Sequence, residues 1–119
     1  MARDEEVEIG ETKRGTIRVL HPVGRIDGTT SPEFQAKLLA VVGEAEGGVI
    51  IDFAAIDYIS SAGLRTLMTA VRQRKDRRIA VAALKPVIVE IFEISRFQHV
   101  VKIFGTVDQA ASSWENPAS

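Results

Sequence analysis

Val49-Ile50-Ile51-Asp52-Phe53 is a short β-rich run set between two stretches of helical periodicity. Such a run, placed between helices, reads as a strand covered on both faces. Ahead of it, Phe34, Leu38, Val41 and Ala45 recur at helical spacing until Gly47-Gly48 stops them. Behind it, Leu64, Leu67, Met68 and Val71 recur at i, i+3, i+4 and i+7, the pattern of a helix with one buried stripe. An interior strand between two amphipathic helices points to an α/β layer fold.

The alternation extends in both directions. Thr30-Ser31-Pro32-Glu33 is a helix start: Ser31 can cap, Pro32 suits the first helical position, and Thr30 and Glu33 stand at capping-box spacing. Upstream, Val7 to Lys13 and Thr16 to Val23 each alternate apolar with polar, and the Lys13-Arg14-Gly15 break makes them an antiparallel pair. Gly24 to Thr30 then reads as a loop. Downstream, Ile79 to Leu84 reads as a second interior strand, Pro86 to Ile94 as a short apolar helix, Val100 to Phe104 as a last strand and Val107 to Trp114 as a terminal helix. No repeat or linker interrupts this order. The expectation is one α/β domain over residues 1–119, with a core over about 7–112 and a loose tail over 115–119. Its mixed sheet should have about four to five strands flanked by about four helices.

Composition removes several classes of function. The chain has 119 residues, 45% hydrophobic and 26% charged, as expected of a globular protein rather than a disordered one. Its 15 basic and 16 acidic residues give a net charge of −1, without the basic excess of a nucleic-acid binder. The absence of cysteine excludes disulfides, thiolate catalysis and cysteine-ligated zinc. The N-terminus opens with Arg3, Asp4, Glu5 and Glu6 and shows no apolar signal region, and runs such as Leu38 to Val42 are too short to span a bilayer. A cytoplasmic location without membrane insertion is the expectation.

The most informative chemistry lies in Asp57-Tyr58-Ile59-Ser60-Ser61-Ala62-Gly63-Leu64-Arg65. Two hydroxyls stand where a hydrophobic strand region hands over to the amphipathic helix. A helix start offers free N–H groups and a positive dipole end, and so suits an added phosphate. The ordinary alternative is N-capping, with Ser60 or Ser61 accepting from Gly63 or Leu64. The small Ala62-Gly63 pair favours the first reading. It leaves the hydroxyl open to a bulky partner, and Gly63 weakens the helix start by about 1 kcal/mol relative to Ala.

Taken together, Gly24-Arg25-Ile26-Asp27, Val49 to Phe53, Tyr58 to Arg65, and Ala83-Leu84-Lys85-Pro86 followed by Ile91 to Phe97 resemble the STAS domain, over about residues 7–112. More narrowly, they are similar to its free-standing bacterial members, the anti-sigma factor antagonists. That resemblance implies partner switching. The unphosphorylated protein binds an anti-sigma factor with serine kinase activity, phosphorylation of one serine abolishes binding, and a serine phosphatase restores it. Alignment on Gly63-Leu64 places the acceptor on Ser61, with Ser60 as rival.

It also implies a partner-binding face made of Asp27, Gly28, Thr29 and Thr30 with Ile59, Ser60, Ala62, Gly63, Leu64 and Arg65. Two positions depart from the family pattern: Ser60 stands where Asp is frequent, and Arg65 where Gly is frequent. Free-standing STAS proteins also serve as subunits of lipid-transport or other multiprotein complexes, which is the alternative function without a phosphoswitch.

Other signals are weaker. Arg72, Arg74, Lys75, Arg77 and Arg78 read as a solvated helix terminus whose cations complement the dipole. His21 and His99 have no carboxylate or second His at ligand spacing, so neither metal nor cofactor is expected. Asp52, Asp57 and Glu90 are scattered. No phosphate loop or nucleophile elbow occurs, so the chain is not read as an enzyme.

Overall fold

The computed structural model describes residues 7–115. In chain order the elements are β1 (Glu8–Arg14), β2 (Ile17–Ile26), α1 (Ser31–Glu44), β3 (Gly48–Asp52), β4 (Ile56–Ile59), α2 (Ser61–Gln73), β5 (Ile79–Ala82), α3 (Pro86–Ile94), a 3-10 turn (Phe97–His99), β6 (Lys102–Phe104) and α4 (Val107–Glu115). Glu115, read as part of a loose tail, is instead the last residue of α4. The acidic Asp4 to Glu6 and residues 116–119 lie outside the described residues.

One mixed sheet runs β1-β2-β3-β5-β6, with β4 also paired to β2. Only the β1–β2 pair is antiparallel, from Glu8↔Val23 to Arg14↔Ile17; β3, β4, β5 and β6 all join in parallel. Helices α1, α2 and α3 bury Phe34, Leu38, Leu67, Ile88 and Phe92 against Leu20, Val49, Ile51 and Val81 on one face. On the other face α4 covers Ile17, Val19, Ile50, Ala80 and Ala82 with Ala110 and Ala111. Val49 and Ile51 thus face one layer and Ile50 the other, as the uninterrupted apolar run required.

The sheet has one strand more than the five named from the sequence. β2 does not end at Val23 but continues to Ile26, where it pairs with β4. Its partner changes on the way: the last pair with β3 is Leu20↔Ile51 and the first with β4 is Gly24↔Ile56. Pro22 lies in that gap, where its missing N–H removes no bond from either parallel ladder. Gly24 takes φ +113°, open only to glycine at little cost, and the register shifts between Gly24 and Arg25. The proline and the bulge interrupt the two-residue period, which is why Gly24 to Ile26 reads as loop.

The start of α1 also differs from its reading. Thr30, not Ser31, is the N-cap residue, and its side chain caps no helical N–H. Instead the Thr30 hydroxyl accepts from Asp27 N (2.9 Å) and donates to the Arg25 carbonyl (2.7 Å), so the capping box does not form.

Candidate functional site

Strands β2 and β4 leave the sheet side by side. Ile26 pairs with Ile59, and Ser60 N donates to the Ile26 carbonyl at 2.8 Å. The two turns that follow, Asp27–Thr30 into α1 and Ser60 into α2, therefore sit next to each other at the carboxyl edge of parallel strands. That edge is where open α/β sheets usually place their sites. Thr66 of α2 donates to the Gln35 side chain of α1 at 3.1 Å and ties the two helices together just below their starts.

Within the serine pair the two hydroxyls have different jobs. Ser60 has extended backbone (φ −91°, ψ 175°) and is the N-cap, its Oγ accepting from Gly63 N at 3.3 Å. Ser61 is the first residue of α2, is exposed, and makes no side-chain hydrogen bond among the described residues. Its hydroxyl stands over the first turn, where helix N–H groups lack intrahelical partners. Arg65 follows four residues later on the same helical face, exposed and without an ion pair among the described residues.

The neighbouring loop is held from within. Asp27 Oδ1 accepts from Thr29 N (2.9 Å) and Thr30 N (3.1 Å). The Thr30 and then the Thr29 amide bonds hold the Asp27 carboxyl below its ordinary value of 3.8. Arg25 lies over the Tyr58 ring at 4.6 Å, across the β2–β4 pair, with its Nε 3.7 Å from Asp27 Oδ2. Gly28 and Thr29 project at the surface, while Thr30 is buried.

Residues 9–110 match the model of the STAS domain. The chain belongs to the STAS domain family. It is 31% identical over 94 residues to BtrV of Bordetella bronchiseptica, by name a candidate anti-sigma factor antagonist, covering 77% of this chain and 81% of BtrV. It superposes with a TM-score of 0.87 on an anti-sigma factor antagonist from Mycobacterium paratuberculosis, at 20% identity over 97% of this chain and 99% of the other. With the phosphorylated form of the Bacillus cell-fate determinant SpoIIAA the TM-score is 0.63, at 16% identity over 89% and 96% of the two chains. These two solved structures share the fold.

In this STAS domain the expected binding face divides in two. Gly28, Thr29, Ser61 and Arg65 are exposed, and Asp27, Ser60 and Ala62 partly so. Ile59, Gly63, Leu64 and Thr30 are turned inward and belong to the core rather than the surface. The helical stripe begins at Gly63-Leu64, so these positions face the sheet.

Gly63 is small for a packing reason, not to keep the hydroxyl open. A Cβ there would lie 2.7 Å from Ile59 Cγ1 and 2.8 Å from Ile26 Cγ2. Glycine lets α2 approach the ends of β2 and β4; packing selects it, whatever else the hydroxyl needs.

Two further corrections concern charges. His21 does have a carboxylate neighbour: its Nδ1 lies 2.9 Å from Asp52 Oδ2, and its Nε2 2.8 Å from Thr12 Oγ1. This chain of contacts ties β1, β2 and β3 together, and its members are too far apart in sequence for spacing to reveal them. No group of three metal-ligating side chains forms among the described residues. Arg74 is not a solvated terminus. It is mostly buried and donates to the carbonyls of Val42 (3.1 Å), Ala45 (2.5 Å) and Glu46 (3.0 Å), satisfying the end of α1. No helix among the described residues is long and apolar enough to cross a membrane.

Proposed function

We propose that this STAS domain is an anti-sigma factor antagonist that binds an anti-sigma factor with serine kinase activity and is switched off by phosphorylation of Ser61. The observation that carries the reading is the division of labour between the two serines. Ser60 is occupied as the cap, while Ser61 is exposed and, among the described residues, free at a helix start that tolerates anions. The names of BtrV and of the Mycobacterium structure support the antagonist role. The domain is a binding module, not an enzyme, and acts in the cytoplasm, where sigma factors work.

The switch works at the surface. A phosphoryl group brings about −1.5 to −2 charges and three acceptor oxygens to Ser61, where N–H groups and Arg65 receive them. Local structure is retained. A partner packed over Gly28, Thr29, Ala62 and Arg65 instead meets bulk and a charge that it must desolvate. Losing about 4 kcal/mol of binding there weakens the complex roughly a thousandfold. A serine phosphatase then resets the surface.

The test is a pull-down from the protein's own cell extract with wild type, Ser61→Ala and Ser61→Asp as baits. An ATP-binding serine kinase should be held by the first two and lost by the third, with circular dichroism unchanged in all. Loss of fold in Ser61→Asp, or retention of the kinase by it, breaks the reading. A bait that holds a multiprotein transport assembly through all three forms points instead to a structural subunit without phosphoswitching.

A further inference from the structure

The opposite end of α2 is built differently. Three adjoining clefts of about 200, 250 and 290 Å³ form a groove between the last turns of α2, the following turn and the segment from Gln98 to Lys102. Arg72, Lys75, Arg77 and Lys102 line it together with the imidazole of His99, and no carboxylate does. All five are exposed, and none forms an ion pair among the described residues. In a chain of net charge −1, this gathers uncompensated positive charge in one place.

Beneath the cations lie Met68, Val71 and Val100, a half-buried apolar floor with one adaptable methionine. Arg77 reaches all three clefts. It does so from a left-handed backbone conformation (φ 58°), which glycine occupies freely and a long side chain does not. The turn is locked around it by Asp76, whose Oδ1 accepts from Arg78 N (2.9 Å) and from Arg74 Nε (2.8 Å).

We infer that this groove docks an acidic segment of a partner protein, one that alternates carboxylates with aliphatic side chains. The floor asks for aliphatic groups and the rim for carboxylates. Open clefts each below the roughly 300 Å³ of an ordinary small-molecule site suit a chain laid across them rather than a ligand enclosed in one. No Phe, Tyr or Trp lines the groove to stack bases, which sets it apart from a single-stranded nucleic-acid channel. This interface is separate from the Ser61 face and independent of its phosphorylation, so it can hold a partner in both states of the switch.

The test titrates the full chain against a fluorescent peptide of alternating Glu and Leu, with a Gln-for-Glu peptide, inorganic pyrophosphate and single-stranded DNA as competitors. The acidic peptide should bind and weaken steeply with added salt. Arg72→Glu combined with Arg77→Glu should lower its affinity at least about tenfold. Arg77→Gly, which relieves the backbone and cannot unfold the turn, should lose affinity several-fold while melting no earlier than wild type. Ser61→Asp should bind like wild type.

The inference is overturned if the acidic peptide fails to bind, if Arg77→Gly and the double variant bind it normally, or if the Gln-for-Glu peptide competes equally. Displacement by pyrophosphate or DNA as effective as by unlabelled peptide would assign the groove to phosphate instead. Loss of binding in Ser61→Asp would move the peptide to the other end of the helix.

Discussion

The two ends of α2 face opposite electrostatic problems and solve them with different residues. At the N-terminal end the helix supplies partial positive charge, Ser60 takes one amide, and Ser61 makes no side-chain hydrogen bond among the described residues, with Arg65 one turn on. At the C-terminal end the carbonyls favour cations, yet the cations exceed what that end needs. Arg74 is spent on the neighbouring helix α1, while Arg72, Lys75 and Arg77 remain at the surface with no ion pair among the described residues. The contrast teaches that a helix terminus is not a site merely because it carries a dipole. What makes the N-terminal end a candidate switch is a hydroxyl with no hydrogen-bonding role among the described residues. What makes the C-terminal end a docking candidate is charge without a structural job.

The largest effect that can break this comparison is at Ser61. Phosphorylation, or Ser61→Asp, should weaken the anti-sigma complex by about 4 kcal/mol, and calorimetric titration should show it with no fall in melting temperature. A second, smaller effect concerns packing. Gly63→Ala gains about 1 kcal/mol of helix propensity but forces a methyl into Ile59 and Ile26, an overpacking that costs roughly 1–3 kcal/mol. Urea unfolding should therefore show net destabilisation; a stabilised variant would mean that Gly63 serves the surface after all.

At the other end, Arg74→Ala leaves three carbonyls of α1 and its exit without their donor. The same measurement should register a loss of about 1–3 kcal/mol, whereas Arg72→Ala should change stability by less than about 0.5 kcal/mol. Ser60→Ala removes the cap alone and should cost about 1 kcal/mol while leaving phosphorylation of Ser61 intact. If Ser60→Ala abolishes phosphate incorporation instead, the two serines have exchanged roles.

The smallest effect is electrostatic. The carboxyl of Asp27 is held below its ordinary value by the Thr30 and Thr29 amides. Asp76 is also lowered: burial opposes its charged form, but the Arg74 hydrogen bond and the Arg78 amide outweigh it. Because both values fall on folding, their contributions are present above pH 3.8 and are lost as pH drops through the folded values. Carboxyl NMR titration should give midpoints under 3.8 for both. A midpoint at or above 3.8 for Asp27 would mean that its loop is not held as described.

Much of this was legible in the chain. The interior strand β3, the start and end of α3 at Pro86 and Ile94, and the amphipathic stripe of α2 all follow from local spacing. So does the presence of a serine pair at a helix start. Periodicity and capping act within one or two turns of backbone, and a sequence displays its neighbours directly.

Spacing left both serines open as caps, and only the family resemblance at Gly63-Leu64 favoured Ser61 as the acceptor. Which serine serves as the cap was decided by backbone geometry, once Ser60 N was bound to the Ile26 carbonyl and its side chain turned toward Gly63. The same holds for the pairing of β4 with the end of β2, beyond the bulge at Gly24, and for the inward turn of Ile59, Gly63 and Leu64. Arg74 on α1 and His21 beside Asp52 are likewise contacts between distant parts of the chain. Sequence alone determined that this protein is an α/β domain with hydroxyls at a helix start. Only the tertiary structure decided which hydroxyl is free and which cations are unspent. Those answers depend on what residues some thirty positions away already occupy, and no local pattern records them.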